Sequence, residues 1–279
     1  MGEHMKSIDD LPGQLVLLKL GGSLITDKKQ PRTLRQNTLA RLAEEIASAF
    51  DQRPSMRLVI GHGAGSFAHV SAKQHGTRQG VKTPEQWNGF VEVWWDAAIL
   101  NRLVVEALNR VGLPVLALPP SAAIIASAGL VERWDLGPLE AALSARLLPV
   151  IHGDVIFDSS LGGTILSTED LFSHLARQLH PSRMLLAGME QGVWEDFPTR
   201  TNIIPKITPQ NFQELLPAIG GSSATDVTGG MEDKVEQCIS LSRSLPGMEF
   251  LIFSGDEPGT LLEVLLGSSH GTVISNSEK

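Results

Sequence analysis

A chain of 279 residues that is 42% hydrophobic and carries a formal charge of −8 can bury a large core but has no excess of Lys and Arg with which to coat nucleic acid or an anionic membrane. Its single cysteine, Cys238, rules out an internal disulfide and a multi-cysteine metal site, and no apolar run reaches the roughly 20 residues that span a bilayer. An anion site must then be a local pocket of positive charge, and a reducing cytoplasm is the expected setting.

Residues 1 to 14, MGEHMKSIDDLPGQ, read as a polar, flexible leader. The first strand is LVLLKL at 15 to 20, an apolar run that carries Lys19 into the turn KLGGS. Gly21 and Gly22 allow backbone N–H groups to approach an anion, and Ser23 can donate a further hydrogen bond. A tight turn beside a snorkelling Lys19 would explain the same residues. Lys28 follows nine positions after Lys19.

Residues 37 to 50 repeat Leu39, Leu42, Ile46 and Phe50 at helical spacing, and RLVIG at 57 to 61 is the next strand. GHGAGSFAH at 61 to 69 reads as a glycine-dense loop ending in His69. It lacks the Gly-Lys-Ser/Thr of a phosphate-binding P-loop, and Ser66 stands where a dinucleotide fingerprint needs its third glycine. A backbone nest for an oxyanion, with His69 against a phosphate, is one reading. His62, one residue past the strand, reads as packed and hydrogen-bonded to backbone. A helix over roughly 85 to 110 holds WNGFVEVWWDAAILNRLV, mostly core, whose large side chains can also line an apolar pocket.

Strands follow at 114 to 119 and 147 to 153, the latter running into HGD at 152 to 154, where Asp154 can orient backbone or cations. In STED at 167 to 170, Asp170 is placed to hold lysines, while Glu169 reads as a helix-capping residue. A helix at 169 to 179 and a strand at 183 to 188 come next. The stretch TDVTGGMEDKVE leads into a helix at 231 to 243 with Lys234 in its first turns, where the macrodipole disfavours a cation by roughly 0.3–1 kcal/mol unless an anion is bound. A strand at 249 to 255 and a helix at 258 to 266 complete the chain.

Continuous aliphatic runs alternating with helices imply βαβ crossovers and an open, mostly parallel sheet covered on both faces, with ligands beyond the carboxyl ends of its strands. A soft boundary falls near residue 181, giving lobes at 15 to 180 and 181 to 279 of one continuous domain.

Taken together, KLGGS with Lys28, the HGxG loop ending in His69, IHGD and DVTGGMxxK resemble the amino acid kinase superfamily, and in order and spacing its isopentenyl phosphate kinases. The resemblance runs from about residue 15 to the C-terminus. It implies a three-layer αβα sandwich that transfers phosphate from ATP to isopentenyl phosphate, with the acceptor in the N-terminal lobe and ATP in the C-terminal one. It also implies Mg²⁺ arriving on the ATP phosphates, and a homodimer.

Lys19 and Lys28 match the family's lysines at the transferring phosphoryl, Lys234 the lysine that reaches ATP, and His69 the histidine on the acceptor's phosphate. Asp170 completes the catalytic set. Gly63, Ala64, Gly65, Ala68, Gly153 and Asp154 correspond to the acceptor cradle, with Phe90, Val93 and Trp94 against its tail. Gly21, Gly22, Ser23, Gly188, Gly192, Val193, Asp226, Thr228, Gly229 and Gly230 fall on the nucleotide side. The chain departs from the family pattern at Ala68, a glycine in most members. It also has STED in place of SGDD, and AGMEQGVWED at 187 to 196 in place of a TDVDG-like stretch with two acids. A fosfomycin-type phosphonate kinase and an inactive anion-binding module of the same fold would share these residues.

Overall fold

The computed structural model describes residues 14–219 and 230–276. In chain order the first half contains β1 (Leu15–Leu20), α1 (Gly22–Ile25), α2 (Gln36–Gln52), β2 (Arg57–His62), α3 (Gly65–His75), α4 (Pro84–Arg110), β3 (Val115–Ala117), β4 (Ile124–Ser127), β5 (Leu130–Trp134) and α5 (Gly137–Ser144). The second half contains β6 (Leu148–His152), β7 (Asp154–Asp158), β8 (Gly162–Leu166), α6 (Thr168–Leu179), β9 (Arg183–Gly188), β10 (Lys206–Ile207), α7 (Phe212–Ile219), α8 (Met231–Ser244), β11 (Glu249–Ser254), α9 (Thr260–Leu265) and β12 (Thr272–Ile274).

All six expected aliphatic strands lie in one eight-stranded sheet of order β10-β12-β11-β9-β1-β2-β6-β3, in which β11–β12 alone pairs antiparallel. Strand β1 is central and buried along its whole length, and its side chains alternate between two cores. Leu15 and Leu17 pack with Leu171 and Leu175 of α6 and with Val235 and Ile239 of α8. Val16, Leu18 and Leu20 pack with Leu42 and Ile46 of α2, Leu100 of α4 and Leu261 of α9. By that alternation Lys19 stands on the α6 and α8 side, which is where a buried lysine can find an acid.

Two parts of the chain differ from the sequence expectation. The glycine-dense loop is short: from Gly65 the chain is helical as far as His75, with Gly76 capping the end at φ 59°, so His69 projects from α3 and not from a loop. After Gly65 no glycine or proline interrupts the run, and Lys73 and His75 suit its C-terminal turn. A second sheet of order β5-β4-β7-β8 also forms, from strands too short and too interrupted to read as continuous apolar runs. Its β4–β5 hairpin turns at Ala128 and Gly129, both at positive φ.

Candidate active site

A cleft of about 1050 Å³ opens beyond the carboxyl ends of β1, β2, β6 and β9. Four helices begin on its wall: α1 at Gly22 and Ser23, α3 at Gly65 and Ser66, α6 at Thr168 and Glu169, and α8 at Met231 after Gly230. First-turn amides have no intrahelical acceptor and carry the positive end of the macrodipole, so the four starts concentrate positive potential in one place. Lys19, Lys28, Lys29, Lys73, Arg78, Arg200 and Lys234 line the same cleft against the acids Asp154, Glu169 and Glu190. In a chain of net charge −8 that local excess selects an anion.

Lys19 is 9% exposed and forms an ion pair through Nζ with Glu169 Oε1. Burial alone pushes the Glu169 carboxyl up, but Lys19 first and then Lys234 pull it down, and the outcome is a carboxyl below its ordinary range. The expected roles of Glu169 and Asp170 are therefore exchanged. Helix α6 starts at Thr168 with Ser167 as its cap, which puts Asp170 at the third helical position. There Asp170 Oδ2 accepts from Ser167 N at 2.8 Å and Ser167 Oγ at 2.7 Å, while Ser167 Oγ accepts from Asp170 N at 3.1 Å, a closed capping box. Arg78 Nη2 lies 3.4 Å from the same Asp170 oxygen, and Asp170 does not line the cleft. Glu169, about 100° round the helix and one methylene longer, reaches Lys19.

The glycines of KLGGS and HGAG serve packing as well as anion approach. A Cβ on Gly22 would come within 2.6 Å of Gly65 Cα, and one on Gly63 within 2.9 Å of Gly22 N. Gly65 also sits at φ 51°. Thr26 Oγ1 joins the two turns, donating to Gly22 O at 2.7 Å and accepting from Ser66 N at 2.9 Å. The starts of α1 and α3 thus form one rigid backbone surface facing the cleft.

The family model for the amino acid kinase family matches residues 14–254. The chain belongs to the amino acid kinase family. It is similar to the isopentenyl phosphate kinase of Haloferax volcanii, 35% identical over 93% of this chain and 98% of that one. It is likewise similar to the isopentenyl phosphate kinase of Methanocaldococcus jannaschii, 31% identical over 95% of this chain and all of the relative. A solved isopentenyl phosphate kinase structure superposes with a TM-score of 0.78 at 29% identity, covering 94% of this chain and all of the other.

In this member of the family the cleft brings together Lys19, Gly21, Gly22, Ser23, Lys28, Gly63, Ala64, Gly65, Ala68, His69, Val93, Gly153, Asp154, Gly188, Val193, Gly230 and Lys234. Phe90, Trp94 and Gly192 do not line it. Phe90 is buried one layer behind, in a cluster with Ala68, Ala72 and Val93, its ring 5.1 Å from that of Trp87. Trp94, next to Val93 on α4 and so turned about 100° away, is 39% exposed and packs on Trp95. A Cβ on Gly192 would instead meet Ile203 and Thr272 at 2.7 Å. Asp226, Thr228 and Gly229 lie outside the described residues.

Ala72 and Ile165 line the apolar end and were not anticipated. Ala72 was signalled by its place four residues after Ala68 on one helix face. Ile165 had no signal, because its hairpin was not legible. Met189, Trp194 and Phe197 line the cleft together with Val193, with the Arg200 guanidinium 5.2 Å from the Phe197 ring centre.

Beneath the cleft, His62 is packed as expected from the sequence: Nδ1 donates to Gly63 O at 3.1 Å, and Nε2 lies 3.1 Å from Asn101 Nδ2. Its ring stacks on His152 with centroids 5.4 Å apart. Burial, then the neighbouring His152, pushes His62 down to about 3, and burial pushes His152 down to about 4. Burial pushes Asp154 up to about 6, against hydrogen bonds from Ser121 and Val155. Both histidines bind protons more readily when the chain is unfolded, so their contribution to stability is present above about pH 6.5 and is lost as the pH falls toward the folded values. Asp154 acts in the opposite sense: its contribution is present at low pH and is lost as pH rises through about 6. The two histidines outweigh the one carboxyl. Urea unfolding is expected to show a lower midpoint at pH 5 than at pH 7.5; a flat or reversed dependence contradicts this account of the buried pair.

Proposed function

We propose that this chain transfers the γ-phosphoryl group of ATP to isopentenyl phosphate, giving isopentenyl diphosphate and ADP. The observation that carries the reading is the two-ended cleft. A cationic end holding Lys19, Lys28, Lys234 and His69 runs into an apolar end of Ala68, Ala72, Val93 and Ile165, with Phe90 behind. A phosphate monoester with a short hydrocarbon tail matches both ends, whereas a small polar phosphonate leaves the apolar end unfilled. The names and near-complete overlap of the relatives support the same substrate.

In this reading an oxygen of the acceptor's phosphate dianion attacks the γ-phosphorus, the new P–O bond forms, and the bond to the β-bridging oxygen breaks with ADP leaving. The nucleophile carries its own charge, so no general base is needed. Catalysis is positioning and charge neutralisation. Lys19 and Lys28 sit against the transferring group, Lys234 against the ATP phosphates, and the amides of Gly22 and Ser23 beside them. His69 holds the acceptor's phosphate on the cradle of Gly63, Ala64, Gly65, Ala68, Gly153 and Asp154. Adenine lies against Gly188 and Val193, with residues 15–180 holding the acceptor and 181–279 the nucleotide. Among the described residues no group of three His, Cys, Asp or Glu is arranged to hold a metal, and Mg²⁺ enters on the nucleotide, bound by phosphates and water.

The protein works in the cytoplasm as a homodimer. The single buried thiol supports the first, and the outward apolar side chains of Val91 and Trp95 on α4 support the second. No helix among the described residues is long and apolar enough to cross a membrane.

His69→Ala is expected to raise KM for isopentenyl phosphate by about 10–100-fold, the loss of a charge-assisted hydrogen bond to phosphate, with ATP affinity by calorimetry unchanged. An unaltered KM would remove His69 from the acceptor site.

A further inference from the structure

Lys28 stands on the loop between α1 and α2, and that loop is unusually well tied for an exposed connection. Its neck is closed by the Thr26–Leu34 bridge and by Asp27 N donating to Thr33 O at 2.9 Å. Its tip is fastened elsewhere. Arg32 N donates to Ser66 O at 3.0 Å, at the start of α3, with Arg32 at φ 52°, a left-handed conformation uncommon for a non-glycine residue.

The Arg32 guanidinium then reaches α4, where Nη2 pairs with Asp96 Oδ1 at 2.8 Å. Asp96 is 1% exposed among the apolar residues of α4, and its other oxygen accepts from Ser71 Oγ of α3 at 3.0 Å. A carboxylate in that position is costly to bury, and an apolar side chain would fill the space at no such cost. What the carboxylate adds is one defined position for the arginine, and through it for the loop.

Resting on the proposed phosphoryl transfer, we propose that Arg32 is a positioning residue: clamped on Asp96, it fixes the 27–34 loop so that Lys28 is held over the transferring phosphoryl group. The clamp joins three elements that meet the substrate separately. The loop supplies Lys28, α3 supplies His69, and α4 supplies Val93, three residues before Asp96. A misplacement of about 1 Å in a charge that acts only in the transition state costs on the order of 10²-fold in rate.

The test is a cycle of the unaltered chain, Arg32→Gln, Lys28→Met and the double variant, followed through single-turnover phosphoryl transfer from MgATP to isopentenyl phosphate. Arg32→Gln is expected to slow transfer by about 10–100-fold while KM for isopentenyl phosphate changes less than about threefold. It should slow the Lys28→Met variant no further, since the lysine through which it acts is gone. Asp96→Asn should reproduce Arg32→Gln, and Arg32→Lys should recover part of the rate. Independently of turnover, Asp96→Asn should speed hydrogen exchange at the Arg32 and Thr33 amides. The proposal is overturned if Arg32→Gln slows Lys28→Met by the factor it imposes on the unaltered chain, or if those amides exchange at their original rates. Absence of turnover by the unaltered chain would instead sink the substrate reading, while the exchange result judges the clamp in either case.

Discussion

Lys19→Met is expected to lower kcat by on the order of 10³-fold, with KM for ATP and for isopentenyl phosphate altered far less. Lys19 lies near the end of a central strand whose backbone is paired with β2 and β9 on both sides, and its ammonium is held by the ion pair with Glu169. A charge fixed before the reaction at the place where phosphoryl oxygens gather charge incurs no reorganisation cost during the step, and single groups of this kind are worth about 3–4 kcal/mol. Methionine keeps the length and apolar stem of the side chain, so the strand and its packing survive. The Glu169 carboxyl left behind can take up a proton, since burial already pushes it up and the Lys19 charge that opposed this is absent. Single-turnover kinetics beside a thermal melt checks both halves. A normal rate would remove Lys19 from the chemistry, and an unfolded variant would give it a structural role in place of a catalytic one.

Glu169→Gln should be costly in stability as well as rate. Removing one partner of a buried ion pair leaves the other charged and uncompensated, which typically costs about 3–5 kcal/mol. Here the remaining partner is the lysine that the proposed transfer sets against the phosphoryl group, so kcat should fall by about 10²-fold along with the urea midpoint. Asp170→Asn is the informative contrast. It weakens a capping box on α6 and its contact with Arg78, worth roughly 1 kcal/mol, and leaves Lys19 where it was. Near-normal kcat in Asp170→Asn beside a large loss in Glu169→Gln is the expected pair of results. The reverse order would restore the assignment that the sequence alone suggested.

That exchange of roles marks where sequence reasoning runs out. The central sheet was legible because its strands are continuous aliphatic runs, a signal that depends on burial on both faces and needs no partner to be known. The amphipathic helices α2, α4, α6, α8 and α9 were legible by the same logic at a different period. The β4–β5 and β7–β8 hairpins were not, since short strands in a small sheet bury one face and break for turns, and Ile165 was lost with them. In STED the residue types were readable but the helix start was not: a shift of one residue decides which acid caps the helix and which one faces β1. Trp94 failed for a similar reason, because composition marks a helix as bulky while only its rotation says which bulky residue meets the cleft. Lys19 and the glycine turns were legible because they sit at strand ends, whose positions were already fixed, whereas Lys28, His69 and Lys234 line the same cleft from a loop and two helices.

The central claim is most directly tested by phosphorus NMR of the products formed by the purified protein with MgATP and, in separate samples, isopentenyl phosphate, fosfomycin or no acceptor. Appearance of isopentenyl diphosphate and ADP in equal amounts in the first sample, with little change in the other two, is the predicted result. Phosphorylation of fosfomycin alone, or no ADP in any sample from folded protein, would contradict it.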